Sequence, residues 1–577
     1  MRSNTSAGYR SARAAALLGV ALLLSAPAAH AQLNPIIFDG NLLWNNGTGG
    51  TSHYAGTASA GSPCLPGLDS TTTQIATLQF TNNLSLDPLL SGALNALTPN
   101  WRPDLGSPAF CGNGGRVVNV PNNGFFQQVS WIGALGPSEP DWTQGWTYYG
   151  LDGGGRTFPV RPLVILDNQN LYSNRTLSAD SNYLVRGQLR VKAQARLTIP
   201  AGTYLFEEAA TVGAIVIERG AFIDAQGTPT NPIVITSDAA PGEQTPGGGG
   251  GLYVNGYAKI NQVNSCAGDS AVTEGLLTSY GGNDDADSSG VLRYVRVEFA
   301  GVVVSPNNEA NSFTFNGVGS RTVAEYLQAH RGLDDLFEWF GGTARARYLV
   351  GTYGDDDGLD WQMGYRGNVQ FAIIRQLALQ AGADAGIEAD NNEFANDTEI
   401  CSGRSNPTFA NLTLIGDRTT GTGFSGVRRG AILRRGTGGQ ILNSIITEWK
   451  TTGLEINGSA TFNNHCADRA AAVSPGVYCP GAVSAPLARG SVFVAHSAPN
   501  PFRSDVAIRF ALPQGGRAQV DIFSADGRLV RSLADGDFAP GEHVIRWTPD
   551  RATPAGVYFY LVRAAGERAT GKIVRVD

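Results

Sequence analysis

The chain has 577 residues, among them 74 Gly and 29 Pro, enough for a large core and at least two domains and too rich in turn formers for a helical architecture. Its formal net charge is −7, and residues 331–400 hold thirteen Asp and Glu against five Arg. That balance excludes nucleic acid as a partner, since binding it needs clustered positive charge, and favours a cation instead.

At the start of the chain, Arg2, Arg10 and Arg13 precede an apolar run from Ala14 to Leu24, and Ala29-His30-Ala31 offers an A-x-A cleavage site. Residues 1–31 therefore read as a secretory signal peptide, too short to span a bilayer and removed on export to the surface or the medium. No Cys lies near the cleavage point for a lipid anchor, and no later stretch is apolar enough to be a transmembrane segment. All six cysteines, Cys64, Cys111, Cys266, Cys401, Cys466 and Cys479, fall in the mature part. An even count in an exported protein points to disulfides, with about fifteen possible connectivities. Cys466 with Cys479 is the best local pair and Cys64 with Cys111 the second.

Residues 32–165 carry the phrases Asp87-Pro88-Leu89-Leu90, Arg102-Pro103 and Gly106-Ser107-Pro108-Ala109. They resemble the coil-ending phrase of secreted β-helices, so this region is expected to cap the N-terminal end of a solenoid, where an open edge would expose backbone. Trp131, Trp142 and Trp146 read as part of such a cap or as a sugar platform.

Residues 166–485 read as one solenoid, and between about Leu171 and Ser459 they repeat. Leu189, Val191, Ala195, Leu197 and Ile199 recur 26 positions on as Ile215, Ile217, Ala221, Ile223 and Ala225. Asp335, Phe337, Trp339 and Gly342 recur 22 positions on as Asp357, Leu359, Trp361 and Gly364, and Ile432 recurs as Leu454. Short alternating strands at this period, with Gly and Asn at the breaks and no amphipathic helices, predict a right-handed parallel β-helix. Residues 238–251 and 264–290 are the long loops, where binding concentrates.

Within the repeat, Phe337-Glu338, Leu359-Asp360, Ile387-Glu388 and Leu454-Glu455 repeat an apolar residue followed by an acid. If Phe337 and Trp339 point inward, alternation places the acids outside, stacked coil on coil about 4.8 Å apart. Glu338, Asp357, Asp360, Glu388 and Asp390 are then candidate ligands for Ca²⁺, which favours hard oxygen donors, with Asp334-Asp335 and Asp355-Asp356-Asp357 beside them. The alternative is a solvated acidic face with turn-forming Asp. As an enzyme, the chain would use Asp355, Asp356 and Asp360 as acid and base on a polysaccharide, with Trp361 and Tyr365 as stacking platforms. There is no H-E-x-x-H, no phosphate-binding Walker loop and no G-x-S-x-G elbow.

From Ser491 to Asp577, strand signals at Val506 to Phe510, Ala518 to Phe523, Glu542 to Trp547, Gly556 to Arg563 and Lys572 to Val576 alternate with D-G, P-G and P-A-G turns. This is the pattern of a small antiparallel Ig-like sandwich, making the chain all-β.

The wording of two regions carries resemblances to known families. Asn500-Pro501-Phe502, Asp526-Gly527-Arg528-Leu529-Val530-Arg531, Gly556-Val557-Tyr558-Phe559-Tyr560 and the closing run from Lys572 resemble the C-terminal sorting domain of the bacterial type IX secretion system. That implies outer-membrane secretion machinery as a partner, read through Asn500, Pro501, Phe502, Gly527, Arg528, Gly556, Tyr558 and Lys572. Trp131-Ile132-Gly133-Ala134, Asp141 to Trp146, Gly290 to Val295, Phe337 to Gly342 and Arg404 to Pro407 are similar to a family of large secreted β-helical surface proteins that use the same pathway. Its activity is unknown, so it implies fold and location and no catalytic residues. The expected function is a non-catalytic adhesin or glycan-binding scaffold, with a polysaccharide lyase or glycoside hydrolase as the alternative.

Overall fold

A computed structural model describes residues 36–47, 54–56, 82–261, 271–272, 275–276, 278–305, 308–377, 384–392, 403–418, 428–458, 461, 479, 495–498, 502–512, 515–525, 527–539, 541–550, 553–564 and 567–576. The signal segment, Cys64, Cys266, Cys401, Cys466, Asn500 and Pro501 lie outside the described residues.

The repeats wind into a parallel β-helix with two long sheets, one of 16 described strands and one of 11. Stacking matches the sequence period. Leu189 pairs with Ile215, Leu197 with Ile223 and Ile199 with Ala225. Phe337 pairs with Leu359 and Trp339 with Trp361. These side chains are buried in one continuous column, with Phe313 stacked on Phe337 at 5.1 Å and Phe315 on Trp339 at 5.9 Å between ring centroids. The expected match of Ile432 with Leu454 is shifted by one: Ala431 pairs with Leu454 and Ile432 with Glu455. A one-residue slip exchanges faces, so Ala431 joins the core column and Ile432 turns outward.

Long strands of the first sheet bend at a corner held by one left-handed residue per coil. Tyr294, Tyr326, Tyr348, Phe371, Asn411 and Asn443 have φ between 49° and 61°, a conformation that costs a non-glycine residue about 1–2 kcal/mol. Stacking offsets part of that cost, with centroids 4.4 Å apart for Tyr294–Tyr326 and Tyr326–Tyr348 and 5.3 Å for Tyr348–Phe371. The asparagines use hydrogen bonds instead. Asn443 accepts from the Val118 N–H at 2.7 Å and donates to its carbonyl at 2.8 Å.

The N-terminal segment does not cap the N-terminal end. Ile36–Asp39 pairs in parallel with Gly439–Leu442, Leu42–Trp44 with Ile445–Thr447, and Tyr54–Gly56 with Thr452–Ile456. It thus extends the solenoid by a coil at the C-terminal end. The chain then returns along the outside of the first sheet. Its partners shift from Asn443 at Val118 to Gln328 at Tyr148 and Glu298 at Arg156. Outward polar side chains such as Gln328, Gln370 and Asn411 are buried beneath this strap and need it as a hydrogen-bonding partner. Trp146 is fully buried there, as a structural residue.

This path also decides the disulfide. Cys111 bonds Cys479, with Cα atoms 5.4 Å apart, in place of both expected pairs. The first coil segment pairs at the far end of the solenoid, which brings Cys111 beside the chain leaving the last coil, 368 residues later.

Beyond the solenoid lie two antiparallel sheets. One orders Ala495–Ala498, Val506–Leu512 and Gly541–Trp547; the other orders Leu529–Phe538, Gly516–Ser524, Gly556–Ala564 and Glu567–Arg575. Their alternate residues, including Phe502, Ile508, Val520, Tyr558 and Val562, form a separate core. Leu529–Phe538 is a strand that the alternation pattern alone did not mark. Gly527 (φ 83°) sits in the turn before it, where Ser524 and Arg528 close the loop.

Candidate metal centre

The second sheet carries the acid row outside, as alternation requires. Phe337, Leu359 and Ile387 face the core, so Glu338, Asp360 and Glu388 project from the opposite face in register. The row ends there. Ile432 occupies the next position, and Glu455 lies one coil further on, paired to Arg429.

The turns entering these strands build the rest of the site. Asn311, Asp335 and Asp357 occupy equivalent places in successive coils and form a ladder. The Asp335 N–H donates to Asn311 Oδ1 at 3.2 Å, and the Asp357 N–H to Asp335 Oδ1 at 3.0 Å. Asp357 Oδ1 in turn accepts from the Ala385 N–H. Asp334 and Asp356, the preceding residues, join them around a cleft of about 340 Å³. It is lined by Glu309, Asn311, Asp334, Asp335, Glu338, Asp356, Asp357, Asp360, Gln362, Asp384, Glu388, Asp390 and Arg434.

Charge is distributed unevenly along this cleft. At one end Arg434 bonds Glu388 and grips Asp390 with two hydrogen bonds of 2.9 Å, Arg435 also bonds Asp390, and Arg429 holds Asp384 at 2.9 Å. Glu388 and Asp390, both expected metal ligands, are therefore already committed to arginines. At the other end, among the described residues, no Arg or Lys forms an ion pair with Asp334, Asp335, Asp356 or Asp357. Ligand oxygens of Asp334, Asp335 and Asp356 lie within 4.8 Å of one another, and so do those of Asp335, Glu338 and Asp360.

Burial disfavours the charged forms, and mutual repulsion adds to it. Burial, then Glu309, pushes Asp334 up to about 7. Burial, then Asp334 and Glu388, pushes Asp356 up to about 8. Asp335 and Asp357 are raised well above the ordinary carboxylate range by burial, with Asp360 and Glu388 respectively the largest neighbouring charges. Burial raises Glu388 to about 7 even against Arg434.

The remaining expected site residues fall elsewhere. Asp355 turns away from the cleft toward Arg331, 3.5 Å distant, while burial pushes it up to about 7. Trp361 and Tyr365 are no sugar platform. Both are fully buried in the solenoid core, where the Trp361 indole donates to Thr437 and the Tyr365 hydroxyl to the Ala344 carbonyl. Trp361 shares the phase of Trp339, so consistent alternation puts it inside. Asn311, Gln362 and Arg434 were missed. The signal for Asn311 was available, since Phe313-Thr314-Phe315 precedes Phe337-Glu338-Trp339 by one coil in the same register.

Residues 169–475, more than half of the chain, match the family model described as a pectate-lyase like beta helix domain. The chain belongs to that family. No curated protein matches it. The crystal structure of the Dettilon tailspike protein (gp208) is similar over 65% of this chain and 86% of that one, at 10% identity and a TM-score of 0.21. That likeness is too slight to carry an argument. In this pectate-lyase like β-helix, the acidic cleft sits on the outside of the second sheet, and no described helix is long and apolar enough to cross a membrane.

Proposed function

We propose that this protein is an exported, surface-displayed or secreted β-helix that binds glycans without cleaving them, and that its acidic cleft holds Ca²⁺ as part of the binding surface. One observation carries the reading: Asp334, Asp335, Asp356 and Asp357 share a cleft with Glu338 and Asp360, and among the described residues none of the four forms an ion pair with an Arg or Lys. Carboxylates held this close are ionised together only when a cation compensates them, and their all-oxygen character suits calcium over a transition metal. The C-terminal pair of sheets, with its type IX-like sequence motifs, is the sorting domain in this reading.

A catalytic reading has its own support, because Asp356, raised to about 8, shares the cleft with Arg434. A lyase needs a base that can shed its proton. Arg434 is raised further above its usual value by Asp390 and Glu388, so it is a fixed cation and a poor base. A hydrolase would use Asp356 as the acid. The deciding experiment incubates the mature protein, with calcium, on acidic and neutral polysaccharides and screens for new reducing ends and unsaturated uronates, alongside a glycan array. Retention on the array without product is expected. Steady product release that disappears in Asp356→Asn or Asp360→Asn would establish an enzyme instead.

A further inference from the structure

At the corner of the first sheet, the stacked rings of Tyr294, Tyr326, Tyr348 and Phe371 form a ladder along the solenoid. The returning strap sets its tryptophans on that ladder. Trp146 stands edge-on to Tyr294 and Tyr326 at 5.7 and 6.3 Å between centroids, and Trp142 meets Tyr348 at 5.3 Å. Beside Trp142 is a cleft of about 220 Å³, walled by Tyr326, Tyr348 and Phe371 from the ladder and by Trp131 and Trp142 from the strap. That volume is below the range of about 300–1,000 Å³ typical of drug-sized ligand sites and suits a single six-membered ring.

The walls are held in place by the fold. The Trp142 indole donates to the Ala134 carbonyl at 3.1 Å, and the Trp131 carbonyl accepts from Asn411 at 3.0 Å. Gln127, at the rim, exchanges backbone hydrogen bonds of 2.8 and 2.7 Å with the Gln370 side chain. A site fixed in this way orders little of itself on binding, which favours affinity.

The polar groups among the aromatic walls select the occupant. Trp131 Nε1 is buried and has no acceptor, which costs about 1–3 kcal/mol unless a ligand oxygen supplies one. Glu139 and Gln127 are exposed at the rim, a carboxylate and an amide that both hydrogen-bond hydroxyls. Among the described residues that line the cleft none is Arg or Lys, so a phosphate, sulfate or uronate group would find no counter-charge there and would meet Glu139. An aromatic side chain in the cleft would leave the indole N–H and the carboxylate unmatched. A sugar ring offers C–H faces to the aromatic walls and hydroxyls to all three polar groups.

We infer that this cleft binds one neutral pyranose unit of a glycan between Trp131 and Trp142, with its hydroxyls on Trp131 Nε1, Gln127 and Glu139. The inference rests on the glycan-binding reading and adds to it a place and a sugar class that owe nothing to the acidic cleft.

The test is saturation-transfer NMR on the mature chain with millimolar methyl glycosides of glucose, galactose, mannose and N-acetylglucosamine, with tryptophan fluorescence titration to measure affinity. Transfer to the ring protons of at least one of these neutral sugars is expected. Trp131→Phe keeps the ring and removes the N–H, and should weaken that sugar about tenfold, the scale of one buried hydrogen bond. Glu139→Ala, at an exposed position, should weaken it as well, and it decides if Trp131→Phe does not fold. Retention of glycans on the array with no transfer to any of the neutral sugars would overturn this site and leave the glycan reading standing. No retention and no transfer would overturn both. Unchanged affinity in the folded variants would place the sugar elsewhere and contradict the assignment.

Discussion

His330 ties the returning outer segment to the solenoid with both ring nitrogens. Its Nε2 lies 2.8 Å from the Gly150 carbonyl, which can only accept, so Nε2 carries the proton and Nδ1 accepts from the Thr352 hydroxyl at 2.8 Å. The neutral ring is fully buried among Tyr148, Phe299 and Tyr353. Burial lowers it to about 4, with Arg331 and Arg156 opposing its charge and the Gly150 hydrogen bond and Glu298 favouring it. The folded value lies below the unfolded one, so the unfolded chain takes up a proton first as pH falls. The stability His330 contributes is complete above about 6.5 and is lost between about 6.5 and 4, on the order of 3 kcal/mol. Chemical denaturation at pH 7 and pH 5 should show the wild type losing about 2 kcal/mol more stability over that interval than His330→Gln does, the buried carboxyls contributing equally to both. An equal slope in both would remove His330 as the cause.

Trp361 shows what a single strand can and cannot reveal. An aromatic residue next to Asp360 invites a sugar-stacking role, yet Leu359–Gln362 alternates, and the neighbour of an outward acid faces in. Packed against Phe409 at 4.8 Å between centroids, Trp361 fills core volume that no other residue supplies. Trp361→Ala should cost about 3–5 kcal/mol in thermal or denaturant unfolding, while Trp361→Phe should retain glycan binding. Loss of binding in a stably folded Trp361→Phe would restore the platform role. The period-2 and 22-residue patterns made the strands, the core column and the acid row legible here. They did not reveal the slip at Ile432, because Ala431 and Ile432 are both apolar and either could face inward. They did not reveal Arg434 either, because its partners Glu388 and Asp390 lie 46 and 44 residues away on another coil.

Across the whole molecule, the features that local sequence patterns did not disclose are those settled by partners far along the chain. Asn41 bonds the Ile441 carbonyl, 400 residues away, and Cys111 bonds Cys479. Short strands such as Ile36–Asp39 carry no local mark of which edge they complete. The C-terminal sheets, by contrast, are built from strands close together along the chain, and five of their strands were read directly from alternation. Their core is separate from that of the solenoid, so removing residues 491–577 should leave the solenoid folded but undelivered. Fractionation of the native host should find the shortened protein in the periplasm, and normal surface display would refute the sorting role. The acidic cleft is the feature on which the functional account turns. An ion that binds the native state alone stabilises it by about 2.7 kcal/mol at a hundredfold excess over its dissociation constant. Thermal unfolding of the mature protein with millimolar calcium and with chelator measures this directly. A higher melting temperature with calcium, diminished in Asp360→Asn, is the predicted result, and identical melting curves would contradict the account.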